Sequence, residues 1–200
     1  MRKSICVFCG SHFGNNPDFD KAAEELGRRM AEEGRELIYG GSDCGYMGTV
    51  SSAALKAGGR VVGVIPTFFT DAVIASQPVD ELIMAETMGE RKNIMSERSE
   101  AFVALPGGVG TLDEITEMLT ANQLGFCIKP IALLNVDGYY DCFIAQMERL
   151  LKDGLVNRST YDSLLAADNV TDLLGMIDSY DCGEVSDNIW KVRDHSGVKL

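Results

Sequence analysis

Glycine, threonine and acidic side chains crowd into one short run, Pro106-Gly107-Gly108-Val109-Gly110-Thr111-Leu112-Asp113-Glu114. Residues of these types in this order suit an anion. The three glycines permit a tight turn whose backbone comes close to a ligand, because no Cβ stands in the way. A helix starting within the run would aim its free N–H groups and its dipole at the same spot, and a phosphate fits there. Glu114 is then the best acid or base candidate. The helix N-terminus would keep its carboxylate ionised, which suits stabilising a developing positive charge or orienting a water. Thr111 and Glu114 also fit a T-x-x-E capping box, which would make Glu114 structural. The run is not a Walker A loop, since no Gly-Lys-Ser/Thr follows. Asp113 stands where a dinucleotide fingerprint needs its third glycine.

A second cluster precedes it: Glu90-Arg91-Lys92, then Met95 and Arg98. At helical spacing Arg91, Met95 and Arg98 share one face. Two readings fit, a guanidinium clamp for the phosphate or a solvated face neutralised by Glu90, Glu97 and Glu100. Glu117 lies one turn beyond Glu114 and can share its face. His12 and His195 are far apart and support no Ser-His-Asp or metal cluster; His12 reads as a polar residue on a candidate ligand loop. The six cysteines, at 6, 9, 44, 127, 142 and 182, show no paired metal spacing. Cys6-x-x-Cys9 falls in a strand-like run, so its side chains should point to opposite faces. Buried, reduced thiols in a reducing cytoplasm are expected.

These residues need a frame, and hydrophobic patterning supplies it. Strands are expected over Ser4 to Gly10, Glu36 to Tyr39, Arg60 to Pro66, Val79 to Ala85, Ala101 to Leu105 and Ile131 to Asn135. Helices are expected over Pro17 to Glu33, Thr49 to Ala57, Thr87 to Glu100, Thr111 to Leu124, Tyr139 to Asp153 and Val170 to Ser179. Thr67 to Pro78 lacks periodicity and reads as a loop or lid. The strands are apolar throughout rather than alternating, as in a sheet covered on both faces. The pattern predicts an α/β fold: a doubly wound, mostly parallel Rossmann-like sheet with helices on both faces. One domain over 1–180 is expected, with a polar tail over 181–200. Ligands of such folds bind at the carboxyl ends of the strands, near the topological switch point. Gly10-Ser11, Gly40-Gly41-Ser42 and Pro106 to Thr111 all end strands, which makes Ser11 and Gly41 candidate ligand contacts as well.

Composition sets the bounds. Of 200 residues 46% are hydrophobic and 24% charged, as in an ordinary globular protein. A formal net charge of −12 argues against a nucleic-acid partner, whose phosphates need a basic face. Any phosphate site must be a local positive island. No apolar run approaches the roughly 20 residues needed to span a bilayer, and Met1-Arg2-Lys3-Ser4 runs into a strand with no signal-peptide cleavage pattern.

The two clusters together resemble a known pair. Met88-x-Glu90-Arg91-Lys92, followed by Pro106-Gly107-Gly108-x-Gly110-Thr111-x-x-Glu114, is similar to the signature of the LONELY GUY (LOG) family. These are the cytokinin riboside 5′-monophosphate phosphoribohydrolases, often mislabelled as lysine decarboxylases. The similarity runs from Cys6-Val7-Phe8-Cys9-Gly10-Ser11 through Tyr39-Gly40-Gly41 and Met47-Gly48 to Lys129-Pro130 and Gly138-Tyr139-Tyr140. It implies a Rossmann-like homodimer that hydrolyses the N-glycosidic bond of an adenine-type nucleoside 5′-monophosphate, with no metal or organic cofactor. On matching positions it makes Arg91 and Glu114 the catalytic pair. It puts Lys92, Gly108, Val109, Gly110, Thr111, Asp113 and Thr120 against the nucleotide. A nucleotide-binding or carrier protein without turnover is the other class with this fold.

The chain departs from the family pattern in places. Gly40-Gly41-Ser42 replaces three glycines, Tyr46 replaces a common leucine, Gly89 a frequent histidine, and Asp113-Glu114 two glutamates. Lysine decarboxylation fails on chemistry, because it needs a desolvated lysine for a pyridoxal phosphate Schiff base. Lys92, directly beside Arg91, is not marked as one.

Overall fold

The apolar runs become strands of one sheet in the computed structural model, which describes residues 1–69, 78–126 and 129–181. In chain order these are β1 (Ser4–Phe8), α1 (Pro17–Glu32), β2 (Glu36–Tyr39), α2 (Gly45–Lys56), β3 (Val61–Pro66), β4 (Glu81–Ala85) and α3 (Met88–Arg98). Then come β5 (Ala101–Ala104), α4 (Val109–Leu124), β6 (Ile131–Leu134), α5 (Asp141–Lys152), α6 (Arg158–Asp162), β7 (Leu164–Ala167) and α7 (Val170–Ser179). Residues 70–77 of the expected lid (Thr67 to Pro78), residues 182–200 of the expected tail, Cys127, Cys182 and His195 lie outside the described residues.

The strand order is β4-β3-β2-β1-β5-β6-β7, and every pairing is parallel. The order runs outward in opposite directions from β1 and β5, so the switch point lies between these neighbours. β1 shows how the sheet is sandwiched. Ile5, Val7 and Cys9 join one buried cluster with Leu26 and Met30 of α1, Val50 of α2 and Leu173 and Ile177 of α7. Cys6 and Phe8 join another with Met95 of α3, Ile115 and Leu119 of α4 and Met147 of α5. Period-2 alternation thus sends Cys6 and Cys9 to opposite faces as expected, and both thiols are free and buried.

Local chemistry explains the helix starts. Asn16 caps α1 by accepting from Asp18 N–H, with Pro17 at the first helical position. Thr87 caps α3 by accepting from Glu90 N–H, while Glu90 Oε2 accepts from Glu86 N–H at 2.6 Å. A T-x-x-E cap therefore exists here, at Thr87–Glu90, with the glutamate reaching back to the N–H of the residue before the cap.

Three expectations shift. Helix α2 begins at Gly45 rather than Thr49, where φ of +56° turns the chain sharply and Tyr46 N–H donates to Gly10 O. Helix α4 begins at Val109 rather than Thr111. The short helix α6 and the strand β7 had no clear period: Leu164-Leu165-Ala166-Ala167 forms a half-buried edge strand through its pairing with β6.

Candidate active site

The carboxyl ends of β1 and β5 meet above the switch point, with Leu105 N–H donating to Phe8 O and Gly10 N–H to Pro106 O. A cavity of about 580 Å³ opens there, a volume in the range of small-molecule sites. Its polar lining comes from Ser11, His12, Ser42, Arg91, Thr111 and Glu114, and Met47, Ile65, Phe69, Met88 and Val109 give it apolar walls.

Two helices start at this cavity, and neither has a side-chain cap. Gly108 is the N-cap of α4 and Cys44 that of α2. The first turn of each helix has N–H groups with no intrahelical acceptor, and Val109, Gly110 and Thr111 of α4 line the cavity. A Cβ on Gly108 or Gly110 would meet nothing within 4 Å, so these glycines face open space. A Cβ on Gly107 would lie 2.1 Å from Thr111 Oγ1, so this glycine permits the turn to close. Arg91 is the one Lys or Arg side chain among the residues lining this cavity, and the uncapped first turn of α4 adds backbone N–H groups beside it.

Because α4 starts at Val109, Thr111 lies inside its first turn and cannot cap it. Glu114 is released from a capping role and meets Arg91 of α3 instead. Arg91 Nη1 donates to Glu114 Oε1 at 2.9 Å and Nε donates to Val64 O at 3.0 Å. Arg91 is 7% exposed and Glu114 8%. Burial pushes the Glu114 carboxyl above the ordinary carboxylate range, against the opposing pull of Arg91. The expected control by the helix N-terminus alone is therefore incomplete. Burial also pushes the Cys9 thiol up, which keeps this cavity-lining group protonated.

Arg98, grouped with Arg91 by spacing, goes elsewhere. It pairs with Glu81 of β4 at 2.7 Å, so of the two only Arg91 lines the cavity. Gly41 lies between two cavity-lining neighbours; its φ of +72° makes the turn, and it packs on Val64 and Ile65. Lys92, Asp113 and Thr120 line a shallower crevice between α3 and α4. Lys92 Nζ donates to Asp113 Oδ2 at 3.0 Å and is ion-paired with Glu117. Hydrogen bonding to Glu117 raises the Lys92 pKa. Thr120 turns its hydroxyl back to Thr116 O. His12, which the sequence marks only as a polar turn residue, lines the cavity, with Nδ1 3.1 Å from Ser11 Oγ. Only its place in a turn after β1 could have signalled this.

A parallel α/β sheet with two uncapped helix ends and a buried ion pair at its switch point defines a class, the Rossmann-like proteins that hold small ligands at the carboxyl edge. Residues 47–177 match the family model described as "Possible lysine decarboxylase". The chain belongs to that family, and its relatives there are LOG proteins. It is 40% identical over 89% of its length to the probable cytokinin riboside 5′-monophosphate phosphoribohydrolase LOGL9 of Oryza sativa subsp. japonica, covering 78% of that protein. It is 38% identical over 89% of its length to the cytokinin riboside 5′-monophosphate phosphoribohydrolase LOG2 of Arabidopsis thaliana, covering 84% of that protein. Among solved structures, the molybdenum cofactor binding protein of Rippkaea orientalis matches with a TM-score of 0.67 and 29% identity over 90% of this chain and 98% of that one.

Proposed function

We propose that this protein hydrolyses the N-glycosidic bond of cytokinin (N6-substituted adenine) riboside 5′-monophosphates, or of adenosine monophosphate, to the free base and ribose 5-phosphate. The observation that carries the reading is the buried Arg91–Glu114 pair beside the uncapped start of α4, in a chain whose relatives bear that name. The 5′-phosphate rests on the amides of Gly108 to Thr111, which provide donors and the positive end of a helix dipole. The base lies toward the apolar walls. As the C1′–N9 bond breaks, its electron pair leaves with the base and positive charge builds on the ribose. Glu114 stabilises that charge and orients the attacking water, whose oxygen joins C1′ and one of whose protons ends on the base. Arg91 keeps the buried carboxylate ionised and aimed.

Decarboxylation of lysine does not fit this site. No lysine lines the cavity among the described residues, and Lys92 is held charged by two carboxylates, the opposite of a Schiff-base lysine. The same reading places the protein in the cytoplasm as a homodimer. Free Cys6, Cys9, Cys44 and Cys142 support the first. Phe126, 83% exposed beside the Lys92–Thr120 crevice, supports the second as an apolar ring on an open face. No helix among the described residues is long and apolar enough to cross a membrane. Light scattering at several concentrations reports the mass.

The reaction is tested by product analysis with adenosine monophosphate and its N6-isopentenyl derivative. Release of free base and ribose 5-phosphate is expected, and the rate ratio reports base preference. Binding without release from either would favour a carrier.

A further inference from the structure

The glycine turn that starts α4 does not stand alone; two consecutive tyrosines from the loop after β6 hold it from behind. Tyr139 Oη donates to Gly107 O, and Tyr140 Oη donates to Leu105 O at 2.6 Å. Tyr140 is anchored in turn, since its N–H donates to Asn135 Oδ1 at 2.7 Å and its ring is buried. Tyr139 packs edge-on against Tyr140 and against Phe19 of α1, with centroids 4.9 and 5.3 Å apart. Phe19 continues the chain of rings to Tyr46, whose Oη accepts from Gly14 N–H in the loop after β1. One aromatic ladder thus grips two of the loops that border the cavity, those after β1 and β5.

The bond to Gly107 has a particular consequence. The carbonyl of Gly107 and the N–H of Gly108 belong to one planar trans peptide and point in opposite directions. Glycines flank that peptide on both sides, so few steric contacts oppose its rotation. A flipped peptide would present a carbonyl oxygen where an anion needs a donor. We infer that the Tyr139 hydroxyl is a peptide lock: it holds the Gly107 carbonyl away from the cavity and thereby keeps the Gly108 N–H available to the substrate's phosphate. Tyr139 is a positioning residue, acting through Gly108, and the inference rests on the phosphoribohydrolase reading above.

The test is Tyr139→Phe, which keeps the ring contacts and removes only the hydroxyl. Affinity for ribose 5-phosphate is measured by calorimetry, with KM and kcat on adenosine monophosphate and the melting temperature. Expected is a roughly tenfold loss of ribose 5-phosphate affinity, the scale of one hydrogen bond to a charged group. KM should rise in parallel while kcat and Tm stay near wild type, because the phosphate is held equally before and during reaction. Wild-type protein that fails to bind ribose 5-phosphate overturns the functional reading, and the lock with it. Binding by wild type and an equal affinity in Tyr139→Phe overturn the lock alone. A fall in Tm with kcat and KM both disturbed makes Tyr139 a general framework residue and also overturns it.

Discussion

A methyl group placed on Gly40 would lie 2.3 Å from Arg91 Nη2 and 2.7 Å from Met47 Sδ. The glycine at the end of β2 is therefore the floor on which the Arg91 guanidinium rests. Gly40→Ala should displace Arg91 by about an ångström and lower kcat/KM by about 100-fold. The overpacked site should cost about 1–3 kcal/mol. Steady-state kinetics and thermal unfolding check both, and unchanged kinetics would remove Arg91 from the mechanism.

Glu114→Gln keeps the shape of the side chain and deletes its charge. Hydrolysis should fall by about 10²–10⁴-fold while calorimetry still detects nucleotide binding; near-normal turnover would exclude Glu114 as the reacting carboxylate. Arg91→Ala leaves that carboxylate buried without its partner. It should weaken both binding and turnover and cost about 3–5 kcal/mol in stability.

Activity should also depend on pH through Glu114. Its folded pKa lies above the ordinary value because of burial, so the acid limb of kcat/KM should fall above pH ~4.3. The linkage sign is the reverse of an ordinary salt-bridged acid. The folded state binds this proton more tightly than the unfolded state, so wild type should lose stability relative to Glu114→Gln as pH rises through the interval between the two pKa values. Denaturant titrations of both proteins across pH 4–7 measure the difference, and a flat difference contradicts the shift.

A second buried cation lies away from the cavity, at the amino edge of the sheet. Arg35, its side chain 2% exposed, donates to Asp178 Oδ1 and Oδ2 at 2.9 and 2.8 Å and to Glu33. Asp178→Asn should cost about 1.5–3 kcal/mol and leave kcat/KM unchanged. Chemical unfolding and kinetics together decide it; a loss of activity at constant stability would show that the two ends of the sheet are coupled.

Much of the fold was legible because its signals are local. Apolar runs separated by amphipathic helices specify a covered parallel sheet, and α7 occupies the residues its period marks. Leu164 to Ala167 carried no such mark: four small or apolar residues suit several structures, and only the free edge of β6 makes them a strand. The site divides in the same way. Gly107 to Thr111 announced by composition the glycine turn that opens α4 beside the cavity. The Thr111–Glu114 spacing suggested a cap that is realised instead at Thr87–Glu90, because Gly108 takes the cap position of α4.

By itself, then, the sequence determined most of the strands and helices, the glycine turn and the two motifs that carry its family likeness. Which charged groups meet was decided only in three dimensions. Arg91 and Arg98 share a helix face, yet one reaches Glu114 across the switch point and the other Glu81 on β4. Lys92, next in the chain to Arg91, turns out to Asp113 and Glu117. Helical periodicity relates residues within one element, whereas these pairings depend on the order in which parallel strands line up and on which helix each crossover lays beside its neighbour.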